Sequence, residues 1–163
     1  MSIHAGVITV SDRGARGERE DKSGQEVMRM LTGATINIDH TMIIPDEKGQ
    51  IKEALIEYAD RRKLDLIVTT GGTGVSPRDV TPEATLEVIE REVPGMAEAM
   101  RRESTAITPH AMISRAVVGI RGRSLIVNLP GSPKGARENL AVILPTLKHA
   151  VEKIRDDETE CAS

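Results

Sequence analysis

The sequence is poor in aromatic residues: it contains no Phe and no Trp, and Tyr58 is its single tyrosine. Proteins that bind single-stranded nucleic acids stack the bases on aromatic side chains, so this composition excludes that class. Neither sign of charge dominates, because 22 Lys and Arg stand against 25 Asp and Glu, giving a formal net charge of −3. Binding through nucleic-acid phosphates needs a basic surface, so the charge balance predicts no nucleic-acid partner.

Cysteine, metal-binding motifs and long apolar segments are also scarce. Cys161 is the single cysteine, which rules out an internal disulfide, and the 4 histidines are too scattered for a zinc site. No stretch approaches the ~18 apolar residues of a membrane span, and the first residues lack the basic and apolar regions of a secretion signal. We therefore expect a cytoplasmic protein with no membrane partner.

The order of the expected elements indicates an α/β fold. A chain of 163 residues with 39% apolar residues suits one domain of ordinary size. Apolar runs predict strands at 4–10, 35–44, 64–70, 116–120 and 124–129, and apolar periodicity predicts helices beginning at Ser23, Pro45, Thr81, Met96 and Pro133. This alternation predicts a single three-layer α/β/α domain with a mostly parallel central sheet over 1–154. A charged, frayed tail is expected at 155–163, and a mobile surface loop at 13–22.

Three polar loops follow expected strands, at residues 9–12, 71–79 and 128–133. The carboxyl ends of parallel strands meet at one edge of a sheet, and the ligands of open α/β sheets bind at that edge. We therefore predict that these three loops line one binding site.

The loop after the third expected strand is the richest in glycine and reads TTGGTGVSPRD at 69–79. Glycine lets backbone N–H groups approach an anion, Thr73 and Ser76 add hydroxyl donors, and the helix capped by Thr81 directs its positive end toward the same place. These features predict a phosphate-binding loop, although it matches neither GxxxxGK[ST] nor GxGxxG. The alternative interpretation is a tight turn that uses glycine for backbone geometry alone.

The other candidates carry weaker signals. The loop at 129–133 repeats the pattern of strand, loop and helix, and it is either a second phosphate contact or a structural turn. Asp46 follows Pro45 at the end of an expected strand, and Asp79 lies in the glycine-rich loop. Both are candidates for a nucleotide-bound Mg²⁺, which takes one or two carboxylates. Taken singly, each aspartate is more typical of a helix cap or a local pair. Ser114 and Arg115 have no interpretation on their own.

Taken together, several segments of this sequence resemble the Mog/MoaB family of molybdopterin adenylyltransferases, to which the plant Cnx G domain and the gephyrin N-terminal domain are related. The segments are ITVSDR at 8–13, DKSG at 21–24, TTGGTGVSPRDVTPEAT at 69–85, SRAVVGIR at 114–121 and LPGSPKG at 129–135. The resemblance extends from about Ile3 to Ile154. It implies a step of molybdenum cofactor biosynthesis, in which AMP passes from Mg-ATP to the terminal phosphate of molybdopterin and pyrophosphate is released.

The resemblance also implies roles for individual residues. Asp46 and Asp79 match acids that serve catalysis and hold Mg²⁺ with ATP. The expected nucleotide and phosphate site consists of Gly71, Gly72, Thr73, Gly74, Pro130, Gly131 and Ser132. The expected molybdopterin contacts are Ser11, Asp12, Ser76 and Ser114. Family members are trimers or hexamers, so we expect a homo-oligomer, such as a homotrimer, that hands its product to a molybdate-insertion protein.

Two other functions compete with adenylyl transfer. The first is a non-catalytic molybdopterin- or nucleotide-binding protein of the MoaB branch, which the retention of both Asp46 and Asp79 argues against. The second is nucleotide pyrophosphate hydrolysis, as in the CinA-type domain, whose loop reads closer to GGLGPT followed by DD. This chain has GGTGVSPRD instead. It also has Met96 where some relatives of the Mog/MoaB family carry Phe.

Overall fold

Within residues 1–156, which the computed structural model describes, six strands form one sheet. They are β1 (His4–Val10), β2 (Asn37–Ile44), β3 (Leu66–Thr70), β4 (Arg91–Glu92), β5 (Val118–Arg121) and β6 (Ser124–Leu129). Their order across the sheet is β2-β1-β3-β6-β5-β4. The first four strands in that order pair in parallel, whereas β5 runs antiparallel to β6 and β4 antiparallel to β5. The sheet is therefore mostly parallel, as predicted.

Helices cover both faces of this sheet. They are α1 (Asp12–Ala15), α2 (Lys22–Gly33), α3 (Lys48–Ile56), α4 (Thr81–Val88), α5 (Pro94–Ile107) and α6 (Pro133–Ile154). A π-helical turn, Glu57–Arg61, continues α3, and a 3₁₀ turn, Pro109–Ile113, follows α5. In the part of the chain that the structure describes, no helix is both long and apolar enough to cross a membrane.

The alternation of side chains along the strands creates two apolar cores. On β1, Ala5 and Val7 pack toward α2 and α6, whereas Ile8 and Val10 pack toward α3 and α4. Strands β3 and β6 alternate in the same way, so the sheet is buried on both faces. Continuous apolar runs are typical of such doubly covered strands. The three-layer α/β/α prediction is confirmed.

Several expected boundaries were wrong, and local hydrogen bonds explain why. Residues 12–15 form α1 rather than a loop, because the Ser11 hydroxyl caps it by accepting from the N–H of Gly14 at 3.0 Å. Helix α2 begins at Lys22, capped by Asp21 rather than by Ser23. The Thr81 hydroxyl does not cap α4, since it donates to the carbonyl oxygen of Gly71 at 3.0 Å.

The region around residue 93 also differs from the expectation. The chain forms the short strand β4 at Arg91–Glu92, and α5 begins at Pro94 instead of Met96. Pro94 suits a first helical position because its missing N–H would have no partner there. At the other end of the chain, residues 155 and 156 form a turn after α6, and the rest of the expected tail, 157–163, lies outside the described residues.

Candidate active site

Two clefts adjoin at the carboxyl edge of the sheet, where β1, β3 and β6 end. The first has a volume of about 660 Å³ and is lined by residues of all three predicted loops. The second has a volume of about 410 Å³ and lies toward α5 and the 3₁₀ turn. Both clefts share a wall formed by Gly72, Asp79, Gly131 and Ser132. The parallel sheet thus brings the three loops together, as predicted.

The geometry of the glycine-rich loop requires glycine at two positions. Gly71 has a φ of +104°, and a Cβ there would overlap the carbonyl oxygen of Val10. Gly72 has a φ of +70°, and a Cβ there would overlap the Thr81 hydroxyl and lie 3.0 Å from Asp46 Oδ1. Backbone geometry alone therefore accounts for both glycines, and their contact with phosphate remains a prediction.

Short hydrogen bonds hold the loops after β3 and β6 against each other. The Gly71 N–H donates to the carbonyl oxygen of Leu129 at 3.0 Å, and the Thr70 hydroxyl donates to that of Pro130 at 2.7 Å. A Cβ on Gly131 would lie only 3.2 Å from Gly71 Cα. These contacts therefore fix the two loops against each other at the wall that the clefts share.

Asp46 and Asp12 join the loops after β1 and β2 through reciprocal hydrogen bonds. Asp46 Oδ2 accepts from the N–H of Asp12 at 3.0 Å, and Asp12 Oδ1 accepts from the N–H of Asp46 at 2.9 Å. Burial raises the pKa of Asp46, and the nearby carboxylates of Asp12 and Asp79 raise it further. Hydrogen bonds from Arg78 lower the pKa of Asp12. Asp46 therefore lies in a field of negative charge that favours a cation.

Arg78 explains why Asp12 does not face the first cleft. Its guanidinium donates to both Asp12 carboxylate oxygens at 3.0 and 3.1 Å, and to Glu47 Oε1 at 2.9 Å. These two acids raise the pKa of Arg78 further above its ordinary value. Asp12 therefore orients Asp46 without lining the first cleft itself. Arg78 belongs to the glycine-rich loop and links that loop to Asp12.

Arg115 holds the loop that carries Asp79. Its side chain donates to the carbonyl oxygens of Gly74 and Asp79, both at 2.7 Å, and forms an ion pair with Glu83. Its backbone N–H donates to the carbonyl oxygen of Thr73 at 2.8 Å. The sequence carried no signal for this role, because 36 residues separate Arg115 from Asp79 and no local pattern relates them.

The comparisons with known proteins agree with this geometry. A family model described as "Probable molybdopterin binding domain" matches residues 6–149. The chain belongs to this family. It is 43% identical over 156 residues to the molybdopterin adenylyltransferase of Helicobacter pylori strain J99, covering 94% of this chain and 89% of that protein.

Two further proteins are similarly close to this chain. The molybdopterin adenylyltransferase of Escherichia coli K12 is 43% identical over 141 residues, which cover 85% of this chain and 72% of that protein. The crystal structure of the molybdopterin biosynthesis enzyme MoaB from Thermus thermophilus superposes with a TM-score of 0.90 at 50% identity, covering 95% of this chain and 98% of that one. The predicted family is confirmed.

The predicted site residues of this molybdopterin binding domain are distributed unevenly. Ser11 and Gly71 line the first cleft together with Asp46. Residues that line only the second cleft are Thr73, Gly74, Ser114 and Pro130. Asp12 and Ser76 line neither of these two clefts, and the N–H of Ser76 donates to Asp79 Oδ2 at 3.0 Å. Met96 lies on α5, packs in the apolar core and lines neither cleft.

One wall of the first cleft was not predicted as part of the site. Residues 19–23, expected mostly within a mobile loop, line this cleft where α2 begins. The Asp21 carboxylate holds them in place, since it accepts from the Thr9 hydroxyl at 2.8 Å and from the N–H of Gly24 at 2.9 Å. Only the DKSG segment at 21–24 gave a signal here, through its resemblance to the family.

The carboxylates present fit a nucleotide-bound Mg²⁺ rather than a closed metal centre. Among residues 1–156 no group of three or more His, Cys, Asp or Glu side chains could hold a metal ion. Asp46 and Asp79 nevertheless line the same cleft and interact electrostatically. Because Mg²⁺ in nucleotide sites takes one or two carboxylates and completes its shell with phosphate oxygens and water, this pair is sufficient.

Proposed function

We propose that this chain is a molybdopterin adenylyltransferase, which transfers AMP from ATP to the terminal phosphate of molybdopterin. The observation that carries this proposal is the pair of adjoining clefts, whose shared wall includes Asp79. A transfer between two substrates needs two binding spaces that meet where the bond forms. The curated relatives with this name match nearly the whole length of the chain, which supports the same activity.

The reaction joins two phosphates and needs no catalytic base. A phosphate oxygen of molybdopterin attacks the α-phosphorus of ATP, the bond from that phosphorus to the bridging oxygen breaks, and pyrophosphate leaves with the electron pair. The attacking phosphate is already ionised at neutral pH, so no proton has to be removed. The protein therefore contributes mainly orientation and charge stabilisation.

The residues around the first cleft divide these tasks. Asp46 and Asp79 would hold Mg²⁺, and when bound this ion offsets negative charge on the phosphates. Gly71 and Gly72 bring the backbone close to the nucleotide, because they have no side chain in the way. Arg115 keeps Asp79 in position through two carbonyl oxygens of its loop.

Three further parts complete the proposal. The protein acts as a homo-oligomer, a trimer or a hexamer. It works in the cytoplasm, where ATP is available. It hands adenylylated molybdopterin to a protein that inserts molybdate.

A labelling experiment tests the proposed activity. The purified protein is incubated with molybdopterin, Mg²⁺ and α-labelled ATP, alongside Asp79→Asn and the exposed control Glu53→Gln on α3. We expect labelled pterin and pyrophosphate from the wild type and the control. Asp79→Asn should lose ~10²–10³-fold in turnover, the usual cost of one well-placed electrostatic group.

Each contrary result would overturn a different part of the proposal. Tight pterin binding without label transfer would indicate the non-catalytic binding protein. Pyrophosphate release without labelled pterin would indicate a hydrolase. Turnover of Asp79→Asn near that of the wild type, with an unchanged circular dichroism spectrum, would remove Asp79 from the mechanism.

A further inference from the structure

The wall of the first cleft formed by Arg19, Lys22 and Ser23 has no role in the reaction described so far. We refer to these residues as the α2 wall, because Lys22 and Ser23 begin that helix and Arg19 precedes it. All of them line the first cleft and none lines the second. The α2 wall therefore lies on the first cleft alone. Under the proposed function this cleft holds ATP, because Asp46 and Asp79 line it, and the second cleft holds molybdopterin.

Ser23 has an unusual combination of burial and missing partners. It is only 7% exposed and lines the first cleft. Neither its hydroxyl nor its backbone N–H makes a hydrogen bond within residues 1–156. Ser23 is otherwise enclosed, and the part of it that stays accessible lies at the cleft. Its unpaired hydroxyl and N–H are therefore available to a ligand in the cleft that accepts both.

The α2 wall carries two cationic side chains that can bind an anion. Arg19 and Lys22 form no ion pair with any residue in the described part of the chain. Glu20 and Asp21 line the same cleft, so residues 19–22 carry no net charge. The Asp21 carboxylate already accepts hydrogen bonds from Thr9 and Gly24, whereas Arg19 and Lys22 have no acid partner among the described residues and are available to an anionic ligand.

Two helix starts direct partial positive charge into this space. Helix α2, with 12 residues, begins at the α2 wall. Helix α6, with 22 residues, begins at Ser132 and Pro133, which line the same cleft. The N-terminal ends of helices carry partial positive charge, which favours phosphate.

We propose that the α2 wall binds the β- and γ-phosphates of ATP, and after transfer the released pyrophosphate. The identity of the nucleotide rests on the proposed function. The phosphate that is transferred must lie at the wall shared by the two clefts, where it meets the second substrate. The remaining phosphates then extend into the part of the first cleft that the second does not share, where Arg19, Lys22 and Ser23 lie.

Binding measurements with three ligands test this proposal without turnover. Inorganic pyrophosphate, ATP and AMP are titrated by calorimetry into the wild type, Ser23→Ala and Lys22→Gln in magnesium-containing buffer. The control is Lys134→Gln, which removes the same charge beside the start of α6 but does not line the cleft. Thermal melting verifies that each variant is folded.

We expect the wild type to bind pyrophosphate and ATP more tightly than AMP. Ser23→Ala and Lys22→Gln should each weaken pyrophosphate and ATP about 10-fold, the typical effect of one hydrogen bond to a charged group. AMP should change less than about twofold in both variants, and Lys134→Gln should leave all three ligands within about twofold.

Three results would overturn the assignment. Unchanged pyrophosphate binding in both variants would show that the α2 wall holds no phosphate. An equal loss for AMP would place the transferred phosphate there instead. An equal loss in Lys134→Gln would attribute the effect to overall charge.

A wild type that transfers AMP yet does not bind pyrophosphate contradicts this inference alone, whereas one that binds pyrophosphate at the α2 wall without transfer contradicts the proposed activity alone.

Discussion

The Tyr58 side chain offers a direct test of how burial sets stability in this fold. Tyr58 is 2% exposed in the core between the sheet and α3, and its hydroxyl has no hydrogen-bond partner among the described residues. Burial raises the pKa of Tyr58 to about 12 from its ordinary value of 10.0. Because ionisation is disfavoured only in the folded state, the unfolded chain loses this proton first as the pH rises.

The sign and size of the effect follow from that pKa difference. Between pH 10 and 12 the folded protein binds more protons at Tyr58 than the unfolded chain does, so stability falls as the pH rises. Two pH units at 1.36 kcal/mol each correspond to a loss of ~3 kcal/mol across this interval. Tyr58→Phe has no proton to lose at this position, so its free energy of unfolding should not show this decrease. At neutral pH the variant should be at least as stable as the wild type, because an unpartnered buried hydroxyl costs ~1–3 kcal/mol.

Urea unfolding from neutral pH to pH 12 measures both effects. Far-ultraviolet circular dichroism is the suitable probe, because the chain has no Trp. The difference in unfolding free energy between variant and wild type cancels the titration of other residues. Tyrosinate absorbance reports Tyr58 alone, since it is the single tyrosine. A folded wild type that ionises near pH 10, or a Tyr58→Phe variant destabilised by more than ~1 kcal/mol at neutral pH, would refute the reasoning.

Other predictions concern the site itself. Gly71→Ala should lower the free energy of unfolding by ~3 kcal/mol in urea titrations, because the positive φ of Gly71 and the lack of space both oppose a Cβ. The control Gly49→Ala, in open space on α3, should raise the free energy of unfolding by ~0.5–1 kcal/mol. A similar loss at both glycines would contradict this. Arg115→Lys should reduce kcat ~10–100-fold in the labelling assay with little change in KM, because a lysine cannot hold both loop carbonyls, and full activity would show that Asp79 needs no such support. Chelation by EDTA should abolish transfer reversibly without shifting Tm by more than ~2 °C, since no closed metal cluster exists within residues 1–156; a large shift would reveal a structural metal.

Most of the residues that the family resemblance points to line at least one of the two clefts, and their roles stay predictions. The bounds predicted for β1 and for β6 are those observed, because each is a short run rich in strand-forming residues that ends at a polar loop. The convergence of three loops at one edge followed from the rule for parallel sheets. The start of α2 did not follow from any such rule, because the charged residues before it are typical of a loop. Its N-cap, Asp21, is also held by the Thr9 hydroxyl of β1, which is distant in the sequence.

By itself the amino-acid sequence determined the fold class, the alternation of strands and helices, and the family. These follow from local patterns and short motifs, which depend on neighbours in the chain. Only the tertiary structure decided three contacts at the site. Asp12 accepts a hydrogen bond from Asp46, Arg115 donates to two carbonyl oxygens of the loop that carries Asp79, and the unpaired donors of Ser23 lie at the first cleft. Each of these depends on atoms brought together from distant elements, and no local pattern encodes such distances.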